Sequence, residues 1–176
     1  MIVYFLRHAN AGQSMANANK DEKRPLDAEG IQQCTFIGRT LAAMDIHVDA
    51  IISSPLKRAQ QTASLVGTEM GYEGKFFLED GLRPEADYSA FTEILHKNSH
   101  LESIMVVGHN PSLTEFLANY VGSRGGKAGV DMKKGAVAKT ISGSKQNVLQ
   151  WCVTPKIVKS IYESVTPKSR PKTSRK

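Results

Sequence analysis

Cysteine is nearly absent from this sequence: its 176 residues hold two, Cys34 and Cys152. Two distant thiols cannot build the disulfide framework of a small secreted domain, so both read as packing residues. Long apolar runs are missing too, since nothing approaches the ~20 consecutive apolar residues that cross a bilayer. Met1 leads straight into a short apolar stretch, without the basic region and longer apolar core of a secretory leader. A soluble protein of the reducing cytoplasm is the expectation, with no membrane partner. Histidine, aspartate and cysteine are not clustered at metal-ligand spacings, so neither a metal nor another cofactor is expected. No internal repeat is present.

Charge of one sign is also missing from most of the chain, although the formal net charge is +6. From Pro155 onward there are seven cations (Lys156, Lys159, Lys168, Arg170, Lys172, Arg175 and Lys176) and one anion, Glu163. Residues 1–154 therefore carry both signs in equal number. A neutral body lacks the basic face of a nucleic-acid-binding domain, and a basic tail alone supports only weak, salt-dependent contact with polyanions. The chain length suits one domain with a sizeable core. We assign residues 1–153 to that domain and 154–165 to a C-terminal extension able to form a helix. Residues 166–176, "TPKSRPKTSRK", are too rich in proline, serine and charge to bury a core and read as a disordered basic tail.

What is present is an alternation of strand-length apolar runs with helix-length segments. The runs are "IVYFL" (2–6), "AIIS" (50–53), "FFL" (76–78), "SIMVVG" (103–108), "AVAKTI" (136–141) and "VLQWCV" (148–153). Helical spacing relates Ile31, Cys34, Gly38 and Leu41 within 28–44, then Leu56, Ala59, Ala63 and Val66 within 55–70. It also relates Leu113, Phe116, Leu117 and Val121 within 111–121. This order argues for a layered α/β domain with a mostly parallel sheet, whose ligand sits outside the carboxyl ends of the strands.

Three of those ends carry unusual residues. The first strand ends in Arg7 and His8, the second in "SSPLKRAQQT", and the fourth in "GHNPSLTEF". In the second, Ser54 reads as an N-cap and Pro55 as the first helical residue, which places Arg58 in the opening turn. In the third, Asn110 reads as the cap and Pro111 as the helix start, with His109 at the junction. Two helix N-termini and four side chains able to carry positive charge then share one edge, an arrangement that attracts an anion. Phosphate is the natural guest, because guanidinium groups grip its oxygens in pairs. Neighbouring cations disfavour protonation of imidazole, so His8 is free to act as a nucleophile on phosphorus, forming a phosphohistidine that water hydrolyses without a metal.

The motifs "LRHA", "SSPLKRAQQT" and "VVGHNP", in this order at three strand ends, resemble the signatures of the histidine phosphatase superfamily, also called phosphoglycerate mutase-like. "RPLDAEG" (24–30), the short chain and the lack of a large inserted cap are similar to the compact SixA-type phosphohistidine phosphatases. The resemblance covers residues 1–153 and implies a three-layer α/β/α sandwich. It also implies His8 as nucleophile, with Arg7, Arg58 and His109 as catalytic phosphate ligands. One departure is Ala9, where most members have glycine. Asn10 and Ser14 follow the nucleophile and are candidates for touching phosphate, while Arg24 is a candidate for bordering the substrate.

In family members that act on esters, an acid following the third strand protonates the leaving oxygen. The corresponding segment, "LEDGLRPEADYSAF", offers Glu79, Asp80, Glu85 and Asp87 without selecting one, and Glu85 is the candidate donor. An alkoxide leaving group calls strongly for such an acid, whereas imidazole leaves easily. The expected function is therefore hydrolysis of phosphohistidine in a signalling or phosphotransfer protein, releasing inorganic phosphate. The alternatives are a phosphomonoesterase or mutase for small phosphate esters, and a noncatalytic reader of phosphoproteins. His47, His96 and His100 read as surface residues, and Arg83, like Arg24, as either a solvated loop arginine or a residue bordering the substrate.

Overall fold

The computed structural model describes residues 1–122 and 129–165; the basic tail read from the sequence, 166–176, lies outside the described residues. Six strands form a single sheet: β1 (Ile2–Arg7), β2 (Ala50–Ser53), β3 (Phe76–Leu78), β4 (Ser103–Gly108), β5 (Val137–Ile141) and β6 (Val148–Val153), in the order β3-β2-β4-β1-β5-β6. Parallel pairing joins β3, β2, β4 and β1, and β5 is antiparallel to both β1 and β6. Among the described residues six α-helices accompany them: α1 (Ala18–Glu22), α2 (Ala28–Ala43), α3 (Lys57–Glu69), α4 (Tyr88–Lys97), α5 (Ser112–Val121) and α6 (Pro155–Val165).

The central strands are apolar throughout because helices cover both faces, which is the burial condition of a parallel sheet. Along β1 the side chains alternate between two cores. Tyr4 and Leu6 join Cys34, Ile37 and Leu41 of α2 and Ala59, Ala63 and Val66 of α3. Val3 and Phe5 join Phe91 and Ile94 of α4 and Leu113, Phe116 and Leu117 of α5. Phe91 and Phe116 stack with ring centroids 5.0 Å apart. The result is the expected three-layer α/β/α sandwich. The segment read as an extension is the helix α6, which places Val158 in the first core and Tyr162 against Phe36 of α2.

Several local expectations need correction. The buried stripe of α2 is Gly30, Cys34, Ile37, Gly38 and Leu41, whereas Ile31 is about half exposed. Helix α3 begins at Lys57 after Leu56, two residues later than expected, and Ser54 and Pro55 belong to the turn ahead of it. Helix α5 begins at Ser112; Pro111, in cis linkage to Asn110, occupies the cap position without a side-chain cap bond. Asn110 instead donates to the Met132 carbonyl and accepts from Thr114. Helix α4 is an element the apolar spacing of the sequence does not predict. Its start is fixed by Asp87, one of the four acids considered as a proton donor, whose carboxylate accepts from the Ala90 N–H at 2.9 Å.

Candidate active site

The register of the sheet brings the two key histidines together. Arg7 of β1 pairs with Gly108 of β4, so His8 and His109, each one residue further on, emerge side by side. Their ring centroids are 4.9 Å apart. On the other flank of β4, Ser53 pairs with Val107, which brings Ser54 up to His109. The Ser54 hydroxyl lies 2.9 Å from His109 Nε2 in a fully buried setting. Ser54 thus has a different role from the helix cap expected of it.

Hydrogen bonding orients the His8 ring. Its Nδ1 is 2.7 Å from the Ala9 carbonyl, an acceptor only, so Nδ1 carries the proton and Nε2 keeps its lone pair. Ala9 is itself fixed, since its N–H donates to Thr62 Oγ1 at 3.0 Å. Thr62 closes the "SSPLKRAQQT" motif, so that motif supplies both the Arg58 cation and the support for the residue after His8. For His109, the Leu56 N–H donates to Ser54 Oγ at 3.4 Å. The Ser54 hydroxyl has no other acceptor among the described residues, so its proton is satisfied only by donating to His109 Nε2, which puts the ring proton on Nδ1.

Both histidines are neutral in this environment. Burial pushes His8 down to about 3, with the charges of Arg58, Arg7 and Lys134 adding to the effect. Burial likewise pushes His109 down to about 2, helped by His8, Arg58 and Arg7. The cations expected from the sequence to keep the ring neutral contribute, but removal from water is the larger cause.

The arginines are held by one nitrogen and leave another unpartnered. Arg7 Nη1 donates to the Met132 carbonyl at 2.7 Å. Arg58 Nη1 donates to the Asp21 backbone carbonyl at 2.9 Å and pairs with its carboxylate at 3.2 Å. Among the described residues, only three buried side-chain nitrogens or oxygens lack a hydrogen-bond partner: Arg7 Nε, Arg58 Nε and His109 Nδ1. Buried donors without partners are costly and uncommon. All three belong to residues singled out from the sequence, and all three are N–H donors suited to a tetrahedral oxyanion.

The segment "RPLDAEG" has a physical part in this arrangement. Arg24 donates to the Ala11 carbonyl at 2.6 Å and pairs with Asp21 at 2.8 Å, so its guanidinium braces the loop after β1. Asp27 caps α2 and accepts from Asn10 Nδ2 at 2.9 Å. Gly30 lies against the Asn10 backbone so closely that a Cβ there would overlap the carbonyl oxygen. Asn10 is occupied on every side: its amide donates also to Glu29, and its Oδ1 accepts from Lys134 Nζ at 2.7 Å.

Ser14 and Glu85 lie on the exposed surface. Of the other acids considered as proton donors, Glu79 pairs with Lys97 and Asp80 with Arg83, while Asp87 caps α4. Arg83 also pairs with Glu22 at 2.7 Å. His47, His96 and His100 are exposed as expected. The residues not found from sequence are Asp21, the Ser54 partner to His109, and the 132–136 loop. Asp21 had no motif around it, and the loop acts mainly through backbone atoms, which leave no trace in side-chain patterns.

Comparison with known proteins agrees with this geometry. The family model described as histidine phosphatase superfamily (branch 1) matches residues 3–102. A phosphohistidine phosphatase SixA homolog of Haemophilus influenzae is 26% identical over 167 residues, covering 89% of this chain and 98% of its own length. A solved protein histidine phosphatase SixA in complex with tungstate superposes with a TM-score of 0.77 at 23% identity, over 90% of this chain and 99% of that one. A phosphoglycerate mutase of Bacillus anthracis superposes with a TM-score of 0.65 at 17% identity, over 90% and 95%. The sandwich is thus a phosphoglycerate mutase-like fold, and among the described residues no helix is long and apolar enough to cross a membrane. With its motifs at three adjoining strand ends and a family match over more than half its length, the chain belongs to the histidine phosphatase superfamily and is a phosphatase.

Proposed function

We propose that the chain hydrolyses phosphohistidine in a protein, through a covalent intermediate on His8. The observation that carries this reading is the coincidence of a neutral His8, its Nε2 lone pair free, with three unpartnered buried N–H donors on Arg7, Arg58 and His109. In the first step His8 Nε2 attacks phosphorus and the bond from phosphorus to the substrate nitrogen breaks; its electron pair leaves on a substrate ring whose other nitrogen is already protonated, so neutral imidazole departs and phospho-His8 keeps its Nδ1 proton. In the second, water attacks phosphorus, the bond to Nε2 breaks with its electron pair returning to the ring, and both protons of the water leave with inorganic phosphate, so the neutral His8 ring is restored. The arginines and His109 hold the phosphoryl oxygens, whose charge develops in both steps. No step requires a cofactor.

The substrate class follows from the acids. Asp21 is held down at about 2 by its bonds to Arg24 and Met15, and it contacts Arg58 as a fixed anion, so it has no proton to give near neutrality. Three of the four acids after β3 are engaged elsewhere, and Glu85 is exposed. A pocket poor in available acids favours imidazole as leaving group, and the similarity to SixA proteins, one of them bound to the oxyanion tungstate, points the same way. The free thiols Cys34 and Cys152 fit a reducing cytoplasm, as does a phosphotransfer protein as partner. The test is a panel comparing a phosphohistidine protein with several phosphate esters, for wild type and His8→Ala. Turnover of phosphohistidine well above the esters, abolished in the variant, is the expected result. Preference for esters, with Glu85→Gln slowing only those with poor leaving groups, would replace this reading with a phosphomonoesterase.

A further inference from the structure

Next to the phosphate site lies a cavity of about 470 Å³ whose wall includes Arg7, Asn10, Gln33, Lys134 and Lys156. Arg7 belongs to both, and the Lys134 charge acts on His8. The cations here are poorly matched by anions. Lys134 donates to the neutral Asn10 amide oxygen, Arg7 to a carbonyl, and Lys156 is exposed; none has a carboxylate within ion-pair distance among the described residues, the Asp131 charge acting on Arg7 only from further off. Glu29, also in the wall, accepts from the side-chain amides of Asn10 and Gln33. Lys133 at the rim pairs with Asp131, both being about two-thirds exposed.

The lysine loop is also fixed in place. The Met132 carbonyl accepts from Arg7 and Asn110, and the Gly135 N–H donates to the His8 carbonyl at 3.2 Å. Gly135 has φ +71, a turn that a side chain would strain. The residues that set the nucleophile therefore also set the position of Lys134.

We infer that this cavity binds acidic side chains of the substrate protein, so that a carboxylate near the phosphohistidine lies against Lys134 and Lys156 while the phosphoryl group sits at His8. The inference rests on the phosphohistidine reading and adds to it a preference for acidic sequence around the modified residue. It is tested with two phosphohistidine peptides of equal length, flanked on both sides by Asp and Glu or by Asn and Gln. kcat/KM is measured for wild type and Lys156→Glu, and Kd for the same peptides carrying a non-hydrolysable phosphonate in place of the phosphoryl group.

The expected preference for the acidic peptide is about tenfold in both readouts, since an exposed ion pair contributes up to about fivefold and two are formed. It shrinks toward unity in Lys156→Glu and at high salt. Equal kcat/KM and equal Kd for the two peptides in wild type would overturn the subsite and leave phosphohistidine turnover standing. A full preference surviving in Lys156→Glu would also overturn it. An acidic preference in Kd without turnover of either peptide supports the subsite and refutes the hydrolytic reading.

Discussion

Ser54→Ala removes a single oxygen from the least expected part of the site. That oxygen is the 2.9 Å partner of His109 Nε2, in a place where Ser54 is 0% and His109 1% exposed. The lost hydrogen bond is worth about 1 kcal/mol, and the imidazole nitrogen left buried without a partner adds about 1–2 kcal/mol. A total of about 2–3 kcal/mol lowers Tm by about 4–12 °C for a domain of this size. The larger effect is on rate: without Ser54 the His109 ring no longer has one fixed tautomer, and its Nδ1 proton is no longer guaranteed to the phosphoryl oxygen. Losing about 1.4–2.7 kcal/mol of transition-state stabilisation reduces kcat/KM by about 10–100-fold. The assay is phosphate release from a phosphohistidine peptide, alongside thermal melting. Ser53→Ala serves as control: its hydroxyl is equally buried but donates to the Ser54 carbonyl. It should lower Tm with at most about a threefold effect on rate. Ser54→Ala with kcat/KM within about twofold of wild type would refute the role given to the serine.

Three further outcomes follow from the same geometry. His8 and His109 are neutral when folded, at about 3 and about 2, whereas unfolded imidazole titrates near 6.5. The unfolded chain therefore binds more protons below pH 6.5, and stability falls as pH drops. Each ring contributes a loss of about 2 kcal/mol by pH 5, visible as a falling urea midpoint that flattens in His109→Gln and is absent if the rings are protonated when folded. Arg58→Lys keeps a charge but loses the fork that joins Asp21 to the free Nε. kcat/KM should fall at least about 100-fold with the circular dichroism spectrum retained, and a near-native rate would contradict the assignment. Gly30→Ala drives a methyl group into the Asn10 carbonyl, two residues from His8. Tm should fall by several degrees and activity with it, whereas a wild-type melt would show that the α2 contact is looser than described.

Much of the fold was legible because its signals are local. The strand runs were readable since strands covered on both faces must be apolar along their whole length, and all six lie within a residue of their expected bounds. The edge strand β3 was readable for its β-forming side chains although Phe76, Phe77 and Leu78 are exposed. Helix starts were displaced because Ser54-Pro55 and Asn110-Pro111 look like caps but serve as turns, freeing Ser54 for His109 and Asn110 for Met132. Helix α4 is hard to read from the sequence because it buries only Phe91 and Ile94, too few apolar positions to mark a helical period. At the site, Arg7, His8, Arg58 and His109 stood out as motif residues, while Asp21 and the 132–136 loop are brought there only by the tertiary fold. Burial, the main cause of the neutral histidines, is likewise a property of the folded chain that no single motif displays.

The central claim is that His8 Nε2 accepts the phosphoryl group. Rapid quenching of the protein with a phosphohistidine peptide, followed by alkaline digestion conditions and mass spectrometry, measures this directly. The account predicts a phosphoryl group on His8, labile to acid and stable to alkali, which appears before free phosphate and is missing in His8→Ala. Full phosphate release by His8→Ala, or a phosphoryl group trapped on any other residue during turnover, would contradict it.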